Sequence, residues 1–191
     1  MCDKIWAAFV FLLFVLPVFA REEPLTPSPN SKIEAVVQIH GDPELENADV
    51  VFRLKHSKKK IGSFYVGGYS CYAQILWSPD GRYAALQTHF TRHTMELFVF
   101  EVTETGILQV KIEDYLQNIY GRLGVLHGGR GSVDKPLKWL DKDRLLISAM
   151  GTLDPSQGDV GFNYEVEIRI IPDSDDLVGW LEKMTPVKSN E

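Results

Sequence analysis

Apolar and polar residues alternate along several short stretches of this chain, which is the pattern of β-strands with one buried face. Turn-forming glycines, prolines and aspartates separate these stretches. Strands of this length with short connections between them are typical of antiparallel sheets. The pattern therefore predicts an all-β protein. The stretches that show the alternation most clearly are residues 33–40, 50–54, 107–112 and 163–170.

The strongest local signal is a β-hairpin in residues 75–86. Ser78, Pro79, Asp80 and Gly81 fill the four places of a type I turn in their preferred order. Glycine at the last place can adopt a positive φ without a Cβ clash. A type I turn followed by a left-handed glycine closes a hairpin with a bulge, so two antiparallel strands are predicted around it.

Residues 137–147 resemble the first hairpin in a weaker form. When Trp139 is placed on Trp77, Asp143 takes the position of Gly81. Aspartate tolerates the left-handed conformation better than most residues do. We therefore expect a second hairpin with Asp143 in that conformation, and we interpret its aspartates as turn residues rather than paired catalytic carboxylates.

Two stretches show helical spacing instead. Residues 112–119 carry apolar side chains three and four positions apart, which predicts one or two helical turns. Near the end of the chain, Ser174 is a suitable N-cap and Pro186 a suitable stop. These signals add a short C-terminal helix to the predicted all-β fold. Its apolar stripe would consist of Leu177, Trp180, Leu181 and Met184.

The amino terminus has the features of an export signal. Lys4 supplies positive charge, an apolar run follows it, and Pro17 precedes a cleavage site after Ala20. The alternative is a membrane anchor, but a spanning helix needs about 20 apolar residues and the uninterrupted run is shorter. We predict that residues 1–20 are a signal peptide and that the protein is periplasmic or secreted, with no stable membrane insertion after cleavage.

A change of composition marks the domain boundary. Residues 21–32 contain three prolines and no apolar periodicity, which predicts a flexible leader. Residues 33–186 are then predicted to form a single domain, a size that suits one hydrophobic core.

Charge and cysteine content exclude some classes of function. The net charge of −6 argues against nucleic acid as a partner, since a basic face is its usual footprint. Once residues 1–20 are removed, Cys71 is the only cysteine, so no internal disulfide is expected. Cys71 alternates with Ala73, Ile75 and Trp77, and we interpret it as a small core residue rather than a reactive thiol.

The segment W-S-P-D-G-R-Y-A-A at residues 77–85 resembles the repeat of TolB-type β-propellers, and residues 96–102 match the strand that follows it there. The resemblance implies two blade-like repeats, at about residues 61–113 and 135–171. Because a propeller needs about four to eight blades, it implies either propeller-blade-like sheets that pack as an open β-sandwich or a chain that closes by homo-oligomerising.

Few residues are candidates for a functional site. His89 and His93 are four residues apart, a weak metal candidate that we interpret as two solvated turn histidines. Tyr69 and Tyr72 are weak candidates for an aromatic contact surface. No nucleophile motif, metal-ligand motif or phosphate-binding loop occurs, and no cofactor is predicted.

Two hypotheses about function follow. The first is an exported, non-catalytic module of the cell envelope or extracellular space that binds a protein or a glycan through loops or sheet edges. The alternative is a small secreted hydrolase with its site in the glycine-rich stretch 121–131, around His127 and Arg130. Long glycine-rich loops in compact domains are often functional, which is the reason for keeping this alternative.

Overall fold

The computed structural model describes residues 21–40, 47–67, 72–91, 94–124, 128–153, 161–173 and 176–187. These residues form two β-sheets and one helix, α1, so the predicted all-β class is confirmed. The strands of the first sheet are β1 (Arg21–Pro24), β2 (Ile33–His40), β3 (Asn47–Leu54) and β4 (Lys60–Gly67). The elements of the second sheet, with the helix, are β5 (Ala73–Trp77), β6 (Tyr83–Thr91), β7 (Thr94–Val102), β8 (Ile107–Gln109), β9 (Lys111–Ile112), α1 (Tyr115–Leu123), β10 (Gly128–Trp139), β11 (Arg144–Leu153), β12 (Gly161–Asp173) and β13 (Asp176–Pro186).

The first sheet has the order β1-β2-β3-β4, and all of its pairings are antiparallel. Its inner face follows the alternation seen in the sequence. Ala35 and Val37 of β2 are buried there beside Val50 and Phe52 of β3. The period of two thus places one apolar face of these strands against the rest of the molecule.

The second sheet has the order β5-β6-β7-β10-β11-β12-β13-β9, and β8 pairs with β7. Strand β9 pairs with β13 at the end of this order, and only Val110 separates β9 from β8 in the chain. Because β8 pairs with β7, the strand order that runs from β7 through β10 to β9 comes back to β7. The backbone N–H of Val110 also donates to the Val99 carbonyl at 2.8 Å. The sheet is therefore strongly curled, and it encloses a core of its own.

Strands β5, β6 and β7 form a central layer between the two cores. Ala84 and Leu86 of β6 face the first sheet, whereas Tyr83 and Ala85 face the interior of the curled sheet. Burial on both faces explains why the sequence of β6 starts with a continuous apolar run instead of an alternation. The molecule is thus layered. The first sheet packs on one side of β5-β6-β7, and the remainder of the curled sheet encloses a core on the other side. Within the curled sheet, β10 pairs with β7 and β13 with β9 in parallel, and the other pairings are antiparallel.

The first hairpin has the geometry that its turn residues favour. The N–H of Gly81 donates to the Ser78 carbonyl at 2.9 Å, and Gly81 has a φ of 72°. The Ser78 hydroxyl accepts from the N–H of Tyr83 at 2.9 Å and donates to Asp80 at 2.7 Å. The side chain of Ser78 is therefore as much a part of this turn as the glycine.

The second hairpin also forms, but the expectation for Asp143 is wrong. Asp143 does not have a positive φ; among the described non-glycine residues, only Ser31 and Lys58 do. Trp139 pairs with Leu145, whereas Trp77 pairs with Ala84, so the second turn is one residue shorter and needs no left-handed position.

The predicted C-terminal helix is wrong, because residues 176–186 form β13 and pair with β12. Leu177, Gly179 and Leu181 alternate toward the core. A bulge opposite Glu167 and Ile168 then shifts the register by one residue, so that Met184 lies on the same face. A period of two interrupted by one extra residue imitates the spacing of a helix. The helix expected at 112–119 does exist as α1, which is capped by Asp114 and by Gly124.

The prediction of a flexible leader is wrong for residues 21–24, which form β1 and pair with β2. The segment continues beside β2, where the N–H of Leu25 donates to the Ala35 carbonyl at 2.9 Å. Proline is tolerated here because β1 is an edge strand and Pro24 is its last residue.

The glycine-rich stretch is not one continuous loop. Gly121 lies in α1, Gly124 ends the helix with a φ of 71°, and β10 begins at Gly128. Residues 125–127 lie outside the described residues.

Candidate functional site

Several candidates from the sequence lie outside the described residues, so the structure does not test them. They include His127, on which the hydrolase hypothesis rests, and Cys71, which was expected to be buried. Arg130 lies in β10. The full set outside the described residues is Tyr69, Cys71, His93 and His127.

Two of the remaining candidates lie side by side. The rings of Tyr72 and His89 meet edge to face, with centroids 4.9 Å apart and an interplanar angle of 83°. The pairing of Ala73 with Thr88 explains the contact, since Tyr72 and His89 are the next residues of the two strands. Tyr72 is 42% exposed. The two residues thus form an aromatic surface at the beginning of β5.

The described residues contain no group of three or more His, Cys, Asp or Glu side chains close enough to hold a metal ion. The contact of His89 is with a tyrosine ring. His93, its candidate partner, lies outside the described residues, so the structure does not test the pair as a metal site.

Strand β5 ends the second sheet, and no described strand pairs with its outer edge. The N–H of Ser78 donates to the Tyr83 carbonyl, so Ser78 and Tyr83 are a hydrogen-bonded pair. This bond shows which residues of β5 are hydrogen-bonded to β6 in their antiparallel pairing. Hydrogen-bonded and non-hydrogen-bonded pairs alternate in such a pairing, so Gln74 and Leu76 bond to β6. The N–H and C=O groups of Ala73 and Ile75 consequently point away from β6.

A groove of about 340 Å³ runs along this part of β5. The segment after β1 provides its opposite wall. The indole Nε1 of Trp77 donates to the Thr26 carbonyl at 2.7 Å and fixes that wall to the strand. The residues that line the groove are Pro24, Leu25, Thr26, Ala73, Gln74 and Ile75.

An ion-pair network ties the edge strand β1 to the other strands of the first sheet. Arg53 contacts Glu34 through Nε at 2.6 Å and Glu22 of β1 at 3.0 Å. The hydrogen bond from Arg53 lowers the pKa of the Glu22 carboxyl below its usual value, so this carboxylate stays charged at neutral pH. Because β1 is fixed in this way, the wall of the groove is part of the fold.

The residues lining the groove are uncharged, which limits what can bind there. The outward backbone groups of β5 provide hydrogen-bond donors and acceptors, and the walls contribute small and apolar side chains. Such a site is suited to an extended peptide backbone, since main-chain bonds at a sheet edge do not depend on the sequence of the ligand.

A second groove of about 340 Å³ lies between Lys32, His56 and Glu104. Lys32 and Glu104 form an ion pair at 2.8 Å. Because the principal charges of this groove are already paired with each other, it offers a weaker electrostatic signal for a charged ligand.

Sequence reasoning identified Tyr72 but not the groove. The sequence of β5 is that of an ordinary buried strand, and nothing in it shows that one edge stays unpaired. That property depends on which strand pairs with β6 and on where β1 lies, and both are set by contacts between distant residues.

The fold defines an all-β protein whose strands pair mainly antiparallel, compatible with a β-propeller-like or a sandwich architecture. No protein-family model matches the chain, and a search of curated proteins finds no significant match. Within the described part of the chain, no helix is long and apolar enough to cross a membrane.

Proposed function

We propose that this protein is an exported, non-catalytic binding module that takes up an extended peptide segment of a partner protein along the open edge of β5. The observation that carries this proposal is the outer edge of β5, with which no described strand pairs and which is bordered by an uncharged groove. Natural proteins usually protect such edges because they template strand addition. An edge of this kind that opens into a groove is therefore a reason to propose a binding site.

Strand addition explains each part of the site. Alternate residues of a strand lie about 7 Å apart, so Ala73 and Ile75 offer their backbone groups at the spacing that a peptide strand requires. Leu25 and Pro24 give the peptide side chains an apolar wall. Tyr72, beside His89, provides an exposed aromatic contact at one end.

The proposal includes export to the periplasm or the extracellular space, because residues 1–20 have the pattern of a signal peptide. It also includes a relationship to TolB-type β-propellers. The W-S-P-D-G hairpin leads directly into β6, and its likeness to the TolB-type repeat favours a scaffold that presents strands and loops to another protein. The alternative is that a second copy of this chain, and not a peptide of another protein, pairs with the edge of β5.

The experiment is a binding measurement on the chain beginning at Arg21, with a panel of uncharged extended peptides, a glycan array, and sedimentation to determine the oligomeric state. The two variants compared are Ala73→Pro, which removes the outward N–H, and Ala73→Val, which keeps it. We expect the wild type and Ala73→Val to bind a peptide with similar affinity. Loss of one hydrogen bond should weaken the binding of the Ala73→Pro variant about tenfold.

Three results would contradict the proposal. Equal peptide affinity of both variants would place the peptide elsewhere. Binding of glycans alone would favour recognition through Tyr72. A dimer that Ala73→Pro dissociates would show that the edge serves homo-oligomerisation.

A further inference from the structure

One buried carboxyl group lacks a complete set of partners. Asp134 of β10 is 7% exposed, and its Oδ1 is enclosed without a hydrogen-bond partner among the described residues. The Tyr115 hydroxyl lies near the same carboxyl group and lowers its pKa. A buried acceptor without a partner is costly and is rare in folded proteins, so its presence needs an explanation.

The main chain of Asp134 cannot move away from this position easily. Its carbonyl accepts from Gln87 Nε2 at 2.9 Å, and its backbone pairs with Ala149 of β11. On the strand side, the carboxyl group is therefore held by a sheet that is paired on both sides.

The helix α1 is the cover on the other side. Tyr115 and Ile119 are its buried residues, and the ring of Tyr120 meets Phe162 edge to face at 5.9 Å. The helix has only nine residues, and an isolated helix of that length is marginal in water. The helix therefore depends on its docking on the curled sheet.

The described titratable groups on the buried side of Asp134 are acidic, and Lys135, the next residue of β10, is exposed. Glu96 faces it from β7, and the tyrosines Tyr115 and Tyr120 face it from α1, with Asp114 at the N-cap of that helix. The described residues of β6 and β11 next to Asp134, Gln87 and Ala149, carry no charge. The local field therefore opposes a negative charge on Asp134.

We propose that Asp134 is a proton-dependent latch for α1: the helix is held firmly when the carboxyl group is neutral and opens more often when it is charged. A neutral carboxyl group tolerates burial and can donate as well as accept a hydrogen bond. A charged one leaves an unsolvated negative oxygen next to Glu96, and water reaches it only when α1 moves away.

The pH window follows from the direction of the shift. Burial raises the pKa of Asp134 from 3.8 to about 6. The nearby Tyr115 hydroxyl lowers it and repulsion from Glu96 raises it, so burial is the dominant cause. The helix-open state regains the lower pKa, so rising pH favours opening from about pH 4 until the closed-state group has also ionised above about pH 6. Acidification below pH 6 tightens the latch.

The test is amide hydrogen exchange of α1 in the full chain beginning at Arg21, measured at pH 4.5 and pH 7.5 and corrected for intrinsic exchange rates. A pKa difference of two units corresponds to about a hundredfold in the equilibrium, so most of it should appear between these two pH values. We expect the protection of α1 amides to be at least tenfold greater at pH 4.5. In Asp134→Asn the protection should be high at both pH values.

Two further variants keep the proposal falsifiable if Asp134→Asn does not fold. Tyr115→Phe removes a hydroxyl that lowers the pKa of Asp134, so the midpoint of the transition should move to higher pH. Glu96→Gln removes repulsion and should move it to lower pH. Protection of α1 that does not depend on pH in the wild type, or midpoints that do not move in opposite directions, would overturn the proposal.

Discussion

At the scale of single residues, the first hairpin depends on Gly81. Its φ of 72° lies in the left-handed region, and the turn continues through the hydrogen bonds of Ser78. A Cβ at this position would also meet the Asn30 side chain, with 3.1 Å to Nδ2. Two separate constraints, backbone strain and crowding, therefore act on the same glycine.

We predict that Gly81→Val lowers the free energy of unfolding by about 1–3 kcal/mol more than Gly81→Asn does. Both variants add a Cβ next to Asn30, so the crowding is shared and the difference reports the backbone strain. Asparagine tolerates positive φ, whereas a β-branched residue does not. Thermal or denaturant unfolding of the two variants measures the difference, and equal losses would remove the left-handed assignment of Gly81.

At the scale of elements, alternation predicted strands well where one face is buried and the pairing is regular. Residues 33–40 were predicted from their pattern and form β2 over the same range. It failed at β13, because the bulge opposite Glu167 and Ile168 turned a period of two into an apparent helical spacing. It failed at β1 as well, since the contacts that order Arg21–Pro24, such as the one between Glu22 and Arg53, connect residues far apart in sequence.

The candidate site shows the same limit. The aromatic residue Tyr72 could be singled out from the sequence, but its contact with His89 and the groove beside β5 could not. An unpaired edge is a property of the strand order, and the strand order is decided by long-range packing. Likewise, the burial of Asp134 depends on the position of α1, which no local pattern around residue 134 reveals.

Another prediction at the scale of elements concerns the contact between the two sheets at Gly62 of β4. A Cβ there would lie 2.6 Å from Cγ1 of Ile107, the first residue of β8. Gly62→Ala should therefore destabilise the protein by about 1–3 kcal/mol through overpacking. Chemical denaturation measures this loss.

The control is the double variant Gly62→Ala with Ile107→Ala. Removing the Ile107 side chain beyond Cβ makes room for the new methyl group, so the double variant should lose less than the sum of the two single variants by more than about 0.5 kcal/mol. Additive losses would mean that β4 and β8 do not approach each other as closely as described.

At the scale of the whole molecule, the layer β5-β6-β7 belongs to both cores, and its two sides have different neighbours. Beyond β7 the strand order continues into the curled sheet, whereas it ends at β5, beside the groove. The proposed peptide site is thus the place where an otherwise continuous arrangement of strands stops. The proposed latch lies in the curled sheet and uses residues different from those of the groove, so each can fail without the other.

Residue-resolved amide hydrogen exchange of the unliganded protein tests whether the outer edge of β5 is open. The N–H groups of Gln74 and Leu76 bond to β6, whereas those of Ala73 and Ile75 point outward into the groove. We predict that Gln74 and Leu76 are protected and that Ala73 and Ile75 exchange much faster. Equal protection of all four amides would show that another part of the chain already covers the edge, and it would contradict the proposed function.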